Sequence, residues 1–104
     1  MSSWVSLSPK LVSDVINLTF DFTSRLAVSE TISTQVVTCT VYSGTDASPS
    51  SMISGAATAS GAVVTQVITA GTEGVVYVLK CVITTSASQT LVMTGILAVV
   101  PITI

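Results

Sequence analysis

A chain of 104 residues makes one domain with one modest core. Half of it is apolar (49%), yet only 8% is charged and the net charge is −2, where ordinary soluble domains carry roughly 25% charged residues. That balance excludes nucleic acid, which needs clustered Lys and Arg to neutralise phosphates, and excludes an anionic membrane surface for the same reason. So few charges leave a free monomer poorly protected against association, and predict a protein whose surface is largely hidden in an assembly.

Abundant Ser, Thr, Val and Ala with few Glu, Lys and Arg favours strands over helices. No stretch approaches the roughly 18 unbroken apolar residues that span a bilayer as a helix. The aromatic girdles of a membrane barrel are missing too, with Trp4, Tyr42 and Tyr77 scattered along the chain. Residues 1–10 show no basic segment followed by an apolar one, so no secretory signal is expected. With Met1 as the native start, the protein is expected to be made and kept in a cytosol, with Cys39 and Cys81 as thiols.

In chain order, residues 1–13 read as an N-terminal arm, and 14–104 as the folded domain. Trp4 in the arm either covers an open end of the domain's own core or inserts into a neighbouring subunit. Asp14 to Phe22 is an amphipathic strand, with Ile16, Leu18, Phe20 and Phe22 on one side and Val15, Asn17, Thr19 and Asp21 on the other. Residues 23–27 turn the chain, where Asp21 and Arg25 are placed for a local ion pair. Glu30 to Tyr42 is a second long strand, with Val37, Cys39 and Val41 alternating with Val36, Thr38, Thr40 and Tyr42. The run 43–51, with Gly, Asp, Pro and four Ser, is a loop. Residues 52–59 are a weaker strand whose small side chains suit an edge. A turn at Ser60-Gly61 leads into a strand over 62–69, and Gly71 and Gly74 supply positive φ in the tight turn that follows.

The last quarter holds a β-hairpin, 75–85 and 90–100, closed by the four-residue loop Ser86-Ala87-Ser88-Gln89. One face of its first strand carries Val75, Tyr77, Leu79, Cys81 and Ile83; the other carries Val76, Val78, Lys80, Val82 and Thr84. The second strand likewise sets Leu91, Met93, Leu97 and Val99 against Val92, Ile96, Ala98 and Val100. A strand with one wet face should be polar at alternate positions, and these are not. A small two-sheet domain covers only one of those faces itself, so Val76, Val78, Val82, Val92 and Ile96, with Trp4, are predicted to form an interface. Six or seven short strands separated by turns predict an all-β, antiparallel, immunoglobulin-like β-sandwich with an N-terminal arm.

Catalytic chemistry has little to work with. The chain has no histidine, which removes the usual general base, the commonest zinc ligand and the Ser-His and Cys-His pairs. Two cysteines outside any Cys-x-x-Cys pair cannot close a zinc site. Asp14 with Asp21, and Asp46 with Glu73, read as solvated surface charges, and the glycines are spread singly without a phosphate-binding loop. No enzyme, cofactor or metal is expected. Cys39 and Cys81 are either two buried thiols or an inter-sheet disulfide.

Several runs carry a family likeness: Ser13-Asp-Val-Ile-Asn-Leu-Thr-Phe-Asp-Phe-Thr-Ser-Arg-Leu26, then Ser29-Glu-Thr-Ile32, and Tyr77-Val-Leu-Lys-Cys-Val-Ile-Thr-Thr-Ser86 into Gln89-Thr-Leu91. Together they resemble the tailed-bacteriophage fiber–tail adaptor or minor tail proteins, over about residues 13–100. Ser88-Gln89 stands where that family often has Gly-Arg. The resemblance implies an Ig-like virion structural protein in multiple copies, joining tail and fiber and contacting copies of itself and tail, portal-proximal or fiber proteins. It brings no catalytic residues. A capsid decoration protein and a receptor- or carbohydrate-binding module on the particle are the alternatives.

Overall fold

The computed structural model describes residues 4–6, 10–11 and 14–100. Eight strands occur among them: β1 (Trp4–Ser6), β2 (Lys10–Leu11), β3 (Ile16–Asp21), β4 (Ile32–Ser43), β5 (Ile53–Ser60), β6 (Val63–Ile68), β7 (Val76–Thr85) and β8 (Thr90–Val100). They form two sheets. The larger runs β1-β8-β7-β4 with β2 also on β8, and the smaller runs β3-β6-β5. The architecture is an all-β sandwich. All pairings are antiparallel except those of β1 and β2, which lie parallel along β8, with Trp4 beside Thr94 and Lys10 beside Val99. The N-terminal stretch thus extends the larger sheet at its β8 edge, a pairing that alternation alone did not announce.

Alternation sets the core. Leu18, Phe20 and Phe22, with Val64 and Ile68 beside them on β6, pack with Val37, Cys39, Tyr77, Leu79, Cys81, Ile83, Leu97 and Val99 of the larger sheet and with Met52. Removing such side chains from water is the main favourable term, worth roughly 1.5–3 kcal/mol for each large one. Both cysteines are free and buried, and both lie in the larger sheet, on adjacent strands β4 and β7. An inter-sheet disulfide is therefore not the arrangement here. Burial pushes both thiols up to about 12.

One buried polar side chain stands out. Gln66 on β6 is only 1% exposed. Its amide donates to the carbonyls of Ser54 (3.1 Å) and Gly55 (3.2 Å) on β5. The β5–β6 register slips between Ser54 and Thr58, and Gly55 takes φ +73°. Gln66 therefore satisfies the carbonyls that the β5 bulge frees, which is why an amide is tolerated in the core.

Candidate interaction surface

Two loop ends frame the sandwich. At one, Glu30 accepts the Ala27 N–H at 2.8 Å through one carboxylate oxygen and the Thr85 hydroxyl through the other. Thr31 and Ser86 exchange two bonds, Thr31 N–H to Ser86 Oγ at 3.0 Å and Ser86 N–H to Thr31 O at 2.8 Å. The Thr85 hydroxyl also accepts the N–H groups of Ala87 and Gln89, closing the four-residue hairpin loop. Both bonds to Glu30 hold its carboxyl below the ordinary value, the Ala27 N–H first. The runs 29–32 and 85–89, which carry the family likeness in sequence, thus meet as one clip that fixes β4 against the hairpin.

At the other end, Tyr77 reaches from the core into the loop between β4 and β5. Its hydroxyl donates to Asp46 at 2.6 Å and accepts the Thr72 N–H at 2.8 Å. Asp46 also accepts the Ser48 N–H at 2.8 Å. The Tyr77 hydroxyl, then the Ser48 amide, hold the Asp46 carboxyl below its ordinary range. Asp46 is therefore a loop anchor and not merely a solvated charge. Asp21 has a similar local task, accepting the Thr23 N–H at 2.9 Å and its hydroxyl. Arg25 reaches the other sheet, donating to the Val92 carbonyl at 2.7 Å.

Between these ends lie the two outer faces, and they differ. On the larger sheet the register aligns Val36, Val82 and Val92 in one row, Thr38, Lys80 and Thr94 in the next, then Thr40, Val78 and Ile96, and finally Val76 beside Ala98. Val76, Val78, Val82, Val92 and Ile96 therefore share one face, and none belongs to the core cluster or packs against it. Val92 is 37% exposed and Val36 57%; Val76, Val78, Val82 and Ile96 are half-buried, shielded in the plane by neighbouring strands. Trp4 enters the same sheet at the register position beside Thr94, while its side chain lies outside the described residues. On the smaller sheet the corresponding rows are Asn17, Val67 and Ser54; Thr19, Thr65 and Thr58; and Asp21, Val63 and Ser60. That face is polar on both flanks of β6.

The structure adds Val36 and Tyr42 on β4, the latter 62% exposed. Both sit in the Thr-rich alternation of β4, which reads as a wet face when taken alone. Lys80 is the single charged residue in those outer rows of the larger sheet. Among the described residues there is neither a pocket nor a group of three metal-ligating side chains, and no helix long and apolar enough to cross a membrane.

A sheet face rich in apolar side chains, on a domain clipped at both ends, suits a structural connector, and the family assignment agrees. The family model of the podophage GP4 fiber-tail adaptor protein gp77 matches residues 10–98. The chain belongs to this family. It is thus a phage structural protein of the fiber–tail adaptor kind and a virion component. No curated protein and no solved structure matches it. The match spans β2 through nearly all of β8, so the adaptor's clip, loop anchor and apolar face all fall within it.

Proposed function

We propose that this adaptor joins tail to fiber without catalysis, works in multiple copies, and seats on its neighbours through the outer face of the larger sheet. The supporting observation is the contrast between the two outer faces. One presents Val36, Val76, Val78, Val82, Val92 and Ile96 around a single row of Thr38, Lys80 and Thr94; the other carries only Val63 and Val67, flanked by hydroxyls, an amide and a carboxylate. Both belong to the same small domain, so low charge overall does not explain the difference. An outer face this rich in apolar side chains marks a contact site, and lasting contacts between subunits are the more apolar ones. The strand order, with β3-β6-β5 facing β4-β7-β8 and the N-terminal strands on β8, supports an immunoglobulin-like reading of the scaffold.

The test places a charge on each face in turn. Val78→Lys on the apolar face should leave the fold intact, because the side chain points away from the core. It should weaken co-sedimentation with adaptor-free tails by about a hundredfold, since a charge buried unpaired in an apolar contact costs at least about 3 kcal/mol. Thr65→Lys on the polar face should bind as the wild type does. If Val78→Lys binds tails normally and Thr65→Lys does not, the seat lies on the other face.

A further inference from the structure

Each sheet of the sandwich ends in two edges, and three of the four edges are blunted. β5 is broken by the bulge at Gly55 that Gln66 holds. β3 is six residues long and ends on Asp21. The β8 edge is covered by segments of only three and two residues, β1 and β2, with Pro9 in the chain between them. Such devices keep sheet edges from pairing with other chains. β4 has none of them. It is 12 residues long, Ile32–Ser43, without charge, proline or glycine. Its register with β7 is irregular only near the two ends, leaving Thr34 to Val41 unbroken. The outward side chains Val36, Thr38, Thr40 and Tyr42 are all exposed, whereas the β7 residues beside them (Val76, Val78, Val82) are half-buried between two neighbours. The Gln35 amide crosses to the Ala57 carbonyl of β5 at 3.2 Å, from the side of the strand that Val37 and Cys39 share, and among the described residues β7 is the only strand paired with β4.

We propose that the β4 edge pairs with β4 of a second copy, antiparallel about a two-fold axis, to join the larger sheets of two subunits into one. The occupant follows from the chemistry of the strand. A two-fold join sets a strand against itself, and any charge on it would meet its like; β4 carries none. Its exposed residues are Thr and Val near the middle, and β-branched and Thr–Thr cross-strand pairs are favourable. Seven residues, 35–41, set against themselves about Thr38 span roughly 23 Å and supply about six to eight interchain backbone bonds. The join would place the two apolar outer faces side by side in one surface. An edge contact buries less than a standard interface, so the dimer forms with rising concentration. This goes beyond the proposed seating on the tail, which uses a face and not an edge.

Analytical ultracentrifugation of the purified chain over a concentration series, with amide hydrogen exchange at each end of the series, tests the join. Dimer formation with slowed exchange confined to residues 34–41 is the expected result. Thr38→Lys and Thr38→Glu, on an exposed side chain, should keep the wild-type circular dichroism and each weaken the dimer by about tenfold. Mixing the two variants should restore a one-to-one dimer, which only a two-fold contact near Thr38 does. A chain that stays monomeric throughout, or a dimer whose exchange at 34–41 is unchanged, overturns the proposal. Val78→Lys, on the seating face but off the β4 edge, separates the two readings: lost tail co-sedimentation with retained dimerisation is expected, and loss of the dimer by this variant counts against the edge.

Discussion

Removing one oxygen atom from the core should loosen a loop about 30 residues away in sequence. Tyr77 is fully buried as a residue, and its ring stays in place in Tyr77→Phe. What disappears is a bond donated to the Asp46 carboxylate (2.6 Å) and one accepted from the Thr72 N–H (2.8 Å). A bond to a charged group contributes about 1.5–3 kcal/mol, and Thr72 loses its acceptor as well. Asp46 itself stays near solvent and rehydrates, so the lower half of that range applies, about 2 kcal/mol. For a domain of this size that is a fall in Tm of roughly 8–16 °C. The pH dependence identifies the cause. The Asp46 carboxyl lies below its ordinary value of 3.8 in the fold. A depressed acid contributes stability above its unfolded value and loses it as pH falls through the folded one. The Tyr77 hydroxyl is raised above its ordinary value of 10.0, by burial first and then by the bond to Asp46. Its contribution is complete below 10.0 and is lost as pH rises through the folded value. The gap in urea-unfolding free energy between wild type and variant should therefore be flat near neutrality. It should narrow in acid below the ordinary Asp value and again in strong base. A gap under about 0.5 kcal/mol, or one that ignores pH at both ends, would refute the anchor.

Gly71→Ala should destabilise the fold by about 2–4 kcal/mol in thermal unfolding, because a Cβ there would lie 2.9 Å from Val99 and 3.2 Å from Met52 at φ +98°. Cys39 and Cys81, buried with thiols pushed up to about 12, should resist a disulfide reagent at neutral pH and react together only on unfolding; labelling of the native chain would contradict their burial. Lys80→Leu should let two copies stack face to face, seen as species larger than any the wild type forms at equal concentration in the ultracentrifuge. The reason is that the substitution removes the several kcal/mol needed to bury each ammonium group.

Much of this was legible because alternation is a strong signal wherever one face is buried. The core residues of β3, β7 and β8, the four-residue hairpin loop and the edge position of β5 follow from period-two patterning and turn chemistry. So does the grouping of Val76, Val78, Val82, Val92 and Ile96 on one face. What escaped was chemistry that joins distant residues. Nothing local in Asp46 announces Tyr77, nor in Glu30 its bond to Thr85, 55 residues on. Gln66 shares the alternation of Val64 and Ile68, and only the β5 bulge, which gives its amide the Ser54 and Gly55 carbonyls to satisfy, explains an amide there. The comparison of Cys39 and Cys81 with an inter-sheet pair failed for a related reason. Strand faces can be assigned from sequence, but which sheet a strand joins depends on pairing, and β4 pairs with β7.

The two surfaces left open differ in what they can accept, and Lys80 marks the difference. It sits in the row Thr38–Lys80–Thr94, between the apolar row of Val36, Val82 and Val92 and the row that holds Val78 and Ile96. Two copies stacked through this face would set an ammonium group of each against valine or against the other ammonium, with no carboxylate in those outer rows to answer it. The face thus resists its own kind while remaining apolar enough to hold a partner that brings an acceptor for one cation. The β4 edge has the opposite character, since an uncharged strand meets itself without repulsion and offers backbone bonds that any extended strand can take. On the proposed reading the adaptor pairs with a copy of itself and also grips a different protein. The two proposed contacts would then use separate parts of one sheet, and Lys80 would keep the face from competing with the edge for a second copy.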